Sequence, residues 1–151
     1  MKILIALDES PVSARAAREA VRLFSPAGAH FLVVNVAAIP TTWVGGLDFG
    51  VVAPLDIDPK WLETDEEDEA DLIALARGAG VADPEIVATA GDPVTRICSA
   101  AEEHGVDVIV VGSHDKSALR RLVDPSVAAG VVRATYRPVL VVSGKPPSAA
   151  L

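Results

Sequence analysis

Three observations predict a doubly wound α/β domain. Short β-branched runs alternate with segments of helical period. Those runs are unbroken Val, Ile and Leu, the mark of parallel strands covered on both faces. Helix starts recur as a capping residue followed by proline, at Ser10-Pro11, Asp58-Pro59, Asp92-Pro93 and Asp124-Pro125.

The first strand is expected at residues 3–7 (ILIAL). The following helix places Val12, Ala16, Ala20, Leu23 and Phe24 at helical spacing, with Arg15, Arg18, Glu19 and Arg22 pointing elsewhere; Ser25-Pro26-Ala27-Gly28 ends it. Residues 31–36 form a second strand. A helix over roughly 59–79 and a strand at 85–89 come next, with Leu72, Leu75, Ala76 and Ala79 facing the core. The helix opening at Asp92-Pro93 sets Val94, Ile97, Cys98 and Ala101 on one face and ends at His104-Gly105, where a glycine suits the position after the cap. Residues 107–112 (DVIVVG) are the fourth strand. A last helix is expected from Asp124-Pro125, and residues 138–142 (PVLVV) are the fifth strand.

The chain has 151 residues, enough for one domain that buries roughly 68–70% of its unfolded surface. Its one cysteine, Cys98, excludes an internal disulfide and a cysteine-based zinc site, and no His/Asp/Glu spacing suggests a metal. Cys98 reads as a core residue rather than a reactive thiol. The net charge of −8 argues against nucleic acid and anionic membranes as partners. Seven of the 21 acids lie between Glu63 and Asp71 without a base, leaving 21 − 7 = 14 acids against 13 bases elsewhere. The acidity thus belongs to one helix, as a solvated face or a docking surface for a basic partner. Met1-Lys2 leads into an apolar run too short for a signal peptide, and no run spans a bilayer, so the cytoplasm is the expected compartment.

Residues 37–57 hold Pro40, Gly45, Gly46, Gly50 and Pro54 with little periodicity, an uncommonly long connection. Its Trp43 and Phe49 either tuck onto the body of the domain or form a lid or subunit contact. Residues 144–151 (GKPPSAAL) read as a flexible tail after a domain of residues 1–143.

Ligands of open parallel sheets bind beyond the C-terminal strand ends, which directs attention to Asp8-Glu9-Ser10 and to Gly112-Ser113-His114-Asp115-Lys116. There is no Walker P-loop and no complete G-x-G-x-x-G. His30 and His104 fall at a strand start and a helix end, where structural roles suffice. His114 with Ser113 or Ser126 imitates a base and nucleophile only by adjacency, so a catalytic set is not assigned and weak ATP hydrolysis is the one enzymatic option.

The strand and turn ILIALDES-P-x-S, the segment GDPVTRICSAAEEHGVDVIVVGSH and the closing PVLVV together resemble the universal stress protein family, from Lys2 to about Val142. The resemblance implies a five-stranded sheet in the order 3-2-1-4-5 and homodimers formed through Val139, Leu140, Val141 and Val142. It implies a role in stress response, with an unidentified protein partner as a further expectation. Many members bind ATP with a Gly, two residues, Gly, nine residues, Gly, Ser/Thr pattern after the fourth strand. Here the first glycine matches Gly112, but Asp115 and Pro125 replace the other two; Ser126 matches the hydroxyl, and Val127 follows it. The adenosine-contacting aspartate matches Asp8, the adenine-contacting backbone position matches Val36, and His114 stands where members often carry histidine.

The nucleoside half of the implied site is therefore present and the phosphate half is altered. Pro125 lacks the N–H that a phosphate would use at a helix start, and Asp124 at the expected cap supplies a carboxylate in the phosphate's place. Asp115 adds a further negative charge, partly offset by Lys116, Arg120 and Arg121. The sequence thus points to a protein that does not hold ATP strongly and works through protein contacts. The alternative is a sensor of ATP, ADP, AMP or cyclic AMP that uses the nucleoside half.

Overall fold

The computed structural model describes residues 1–37, 66–114 and 127–144. Strand β1 (Lys2–Ala6) leads to helix α1 (Pro11–Phe24), a 3₁₀ turn (Ser25–Ala27) and β2 (His30–Ala37). Then come α2 (Glu66–Gly78), β3 (Glu85–Ala90), α3 (Pro93–Glu103), β4 (Val108–Ser113), α4 (Val127–Ala134) and β5 (Val139–Ser143). The strands form one sheet in the order β3-β2-β1-β4-β5, every pairing parallel.

Side chains of a strand alternate between its faces, and here both faces are apolar. Ile3, Ile5 and Leu7 of β1 and its extension join Val33, Val110 and Val142 beneath Ala16, Ala17 and Ala20 of α1, Ala76 of α2 and Ala79 just after it. Leu4, Leu32, Val34, Ile109 and Val111 face the other way, toward Ile97, Ala100 and Ala101 of α3 and Ala128 and Val131 of α4. Alanine on the inner helix faces lets the helices sit close to the sheet. One inner position differs from expectation: Leu23 is 45% exposed, and α1 buries Ala17 and Ser13 instead. The 3.6-residue period drifts round the helix, so Leu23 clears the sheet edge while Phe24 still reaches the core.

The Ser-Pro and Asp-Pro starts act as expected where they are described. Ser10 Oγ accepts from the Ser13 N–H (3.3 Å), and Asp92 Oδ2 accepts from the N–H (2.8 Å) and the hydroxyl (2.7 Å) of Thr95. The starts at Asp58-Pro59 and Asp124-Pro125 lie outside the described residues, as do most of the 37–57 loop and the first acids of the 63–71 run. Asp68, Glu69 and Asp71 are exposed on α2. Gly144, assigned to the tail, is held: its N–H donates to Ser113 O at 2.9 Å. The two lateral strands leave one edge each, and on β5 Val141 is 43% exposed.

At the N-terminal edge of the sheet, Glu85 binds Lys2 (2.8 Å) and His104 (3.2 Å), and the Lys2 N–H donates to Asp107 (2.7 Å). Arg137 clamps Glu102 through two bonds of 3.0 Å and donates to the Val106 carbonyl. These ties account for His104 without a ligand.

Candidate nucleotide site

The strand order reverses between β1 and β4, so the crevice that this fold offers a ligand opens where their C-terminal ends diverge. The register pairs Ala6 with Val34 and Ile5 with Val110. Extending it sets Asp8 level with Val36 on one side and Ser113 on the other. Asp8, Val36, Gly112 and His114 thus share one edge of the sheet.

The turn that presents Asp8 is tightly bonded. Asp8 Oδ1 accepts from the Ser10 N–H (2.8 Å), and Ser13 Oγ donates to the carbonyls of Asp8 (2.8 Å) and Ser10 (3.0 Å) while accepting from the Asp8 N–H (3.1 Å). Ser13 is the one buried polar residue among those described, 5% exposed. Behind the turn, Asn35 Nδ2 donates to Leu7 O (2.8 Å) and the Leu7 N–H to Val34 O (2.9 Å), which carries the pairing of β1 and β2 up to the site. Partial burial pushes the Asp8 carboxyl up, but its bonds with Ser10 and Ser13 and the charge of a protonated His114 outweigh that and hold it below the usual carboxylate range. Asp8 is an anion at neutral pH, suited to accept hydrogen bonds from hydroxyl groups.

Gly112 is level with Val142 in β4–β5 pairing. A Cβ there would stand 3.0 Å from the carbonyl carbon and oxygen of Val12 and 3.1 Å from its Cγ2. The glycine therefore admits the first turn of α1 against β4, a packing role in addition to any ligand role. His114 is exposed beyond β4, and its carbonyl accepts from Ser113 Oγ at 3.3 Å. Val127 opens α4 and is 38% exposed. Asp115, Asp124, Pro125 and Ser126 lie outside the described residues.

Cys98 packs against the core between the sheet and α3; burial first, then the charges of Glu102 and Asp92, push its thiol up, opposite to what a nucleophile needs. Ser13 and Asn35 position the Asp8 turn: Ser13 closes the P-x-S stretch three residues after the Ser10 cap, a local signal, whereas the Asn35 contact spans 28 residues and leaves none in the local pattern.

The sequence matches the universal stress protein family over residues 1–143, and the chain belongs to that family. It is 31% identical to universal stress protein YxiE of Bacillus subtilis over 149 residues, 93% of this chain and 97% of that one. A shorter stretch of 55 residues, 36% of this chain and 34% of the relative, is 42% identical to universal stress protein MJ0577 of Methanocaldococcus jannaschii. The solved structure of MJ0577 superposes with a TM-score of 0.66 at 22% identity, covering 96% of both chains. A universal stress protein in complex with cyclic AMP superposes at 0.61 (22% identity, 94% and 95% covered), and one from Archaeoglobus fulgidus in complex with dAMP at 0.56 (24% identity, 94% and 97% covered).

Proposed function

We propose that this universal stress protein binds an adenine nucleotide with few phosphates, AMP or cyclic AMP, in preference to ATP. The observation that carries the reading is the ionised Asp8 on its braced turn at the switch point, beside the end of β2. A carboxylate there accepts from ribose hydroxyls and disfavours a phosphate on its own flank. The base then lies toward Val36, and the phosphate toward Gly112 and the start of α4. In the sequence that joins β4 to α4, Asp115 and Pro125 replace two glycines of the ATP motif, and proline brings no N–H donor for a triphosphate. The complexes of family structures with cyclic AMP and dAMP agree with a short phosphate group.

Calorimetry with adenosine, AMP, cyclic AMP, ADP and ATP tests this reading. AMP or cyclic AMP is expected to bind at least tenfold tighter than ATP, and Asp8→Ala to weaken binding by about 10- to 100-fold, the loss of a charged hydrogen bond. ATP released from freshly purified protein, or failure of all five ligands to bind, would defeat it.

The same reading makes the protein a cytoplasmic homodimer, with the exposed edge of β5 pairing across a two-fold axis. A partner protein would respond to the occupancy of the nucleotide site.

A further inference from the structure

Arg96 is the fourth residue of α3, and its side chain folds back over Gly91, the residue before the Asp92 cap. A Cβ at Gly91 would stand 3.0 Å from Arg96 Nε, 3.6 Å from Cγ and 3.7 Å from Nη2. Gly91 also has φ 133°, a conformation that side chains rarely adopt. The guanidinium therefore rests on bare backbone that only glycine leaves open. The Gly91 N–H donates to Ala37 O at 3.1 Å, so this platform is fastened to the end of β2, one residue beyond Val36. Asp92, the nearest acid in sequence, is engaged with Thr95, and the Arg96 side chain has no hydrogen-bond or ion-pair partner among the described residues.

A planar cation without a partner among the described residues thus stands on the same sheet edge as the ionised Asp8, two strands away. At the spacing of adjacent strands that is about 10 Å across the edge, a span that a nucleoside bridges. Resting on the proposed orientation of the nucleotide, we propose that Arg96 is the residue that closes the base end of the site, stacking its guanidinium on the purine. Stacking uses the ring face, so the contact favours a large aromatic base and does not read its edge.

The test compares adenosine, AMP and ribose 5-phosphate on the wild type, Arg96→Ala and Arg96→Lys. Arg96→Ala is expected to weaken adenosine and AMP alike by about two- to fivefold and to leave ribose 5-phosphate unchanged. Arg96→Lys keeps the charge without the plane and should not restore the base-dependent part. A loss confined to the phosphate-bearing ligands would overturn the inference, since Arg96 would then hold the phosphate. Wild-type affinity for adenosine and AMP in Arg96→Ala would also overturn it while leaving the nucleotide reading intact; no binding by the wild type would defeat both. Arg96 is exposed, and a circular dichroism melt matching the wild type confirms that each variant is folded.

Discussion

Two glycines show how single atoms set this structure, and they differ in what confronts them. At Gly112 an added Cβ meets the backbone of Val12, which cannot yield without moving the first turn of α1. At Gly130 of α4 it would stand 2.5 Å from Cγ2 of Val94, a side chain on α3. We expect Gly112→Ala to cost about 1–3 kcal/mol in urea unfolding, with little recovery from Val12→Ala. Gly130→Ala should also destabilise, but Val94→Ala beside it should restore much of the loss, since the clash goes and a helix interior gains about 1 kcal/mol from Ala over Gly. Equal recovery in both pairs would refute the distinction. Ser13→Ala is expected to cost about 1–2 kcal/mol, because it strips two acceptors and one donor of the Asp8 turn of their partner.

Helix ends and strand ends carry the titration behaviour. Burial and more strongly the bonds from Ser10 and Ser13 set Asp8; the hydrogen bond and charge of Lys2 lead for Glu85; the Thr95 hydroxyl and N–H set Asp92 at the start of α3. All three carboxyls end up below their ordinary values. A folded pKa below the unfolded one gives stability that is fully present above the unfolded pKa and lost as pH falls through the folded one. Stability is thus expected to be level with respect to these groups above about pH 5 and to decline in more acid solution. Glu85→Gln and Asp92→Asn should each flatten that decline in urea titrations from pH 7 to 3. An unchanged slope in both would show that these carboxylates contribute nothing to it.

For the whole molecule, the free edge of β5 and the placement of charge matter most. Val141 is 43% exposed on that edge, and Tyr136 just before the strand is fully exposed. Under the proposed dimer, Val141→Lys is expected to give a monomer by sedimentation velocity without lowering the melting temperature of the protomer, since a lysine on an edge strand blocks pairing. A dimer of unchanged stability would place the interface elsewhere. The net charge of −8 does not oppose an anionic ligand, because seven acids are gathered in residues 63–71 and the crevice lies at the strand ends.

The alternation of unbroken apolar runs with capped helices was enough to determine the parallel α/β class and the bounds of the five strands, α1 and α3 to within a residue or two, while the expected starts of α2 and α4 lie outside the described residues. That information is local: period, β-branching and cap-proline pairs act over a few neighbours. The family resemblance added the strand order 3-2-1-4-5, which local pattern cannot contain because it depends on which covered strands pair. Asp8 and Gly112 were legible as candidates from their places after β1 and at the end of β4. What only the tertiary structure decided was their meaning: Ser13 and Asn35 brace the Asp8 turn, Val12 gives Gly112 a packing reason, and Gly91 seats Arg96 beside β2. Each of these joins residues through close approach in space, a distance that composition and period do not encode.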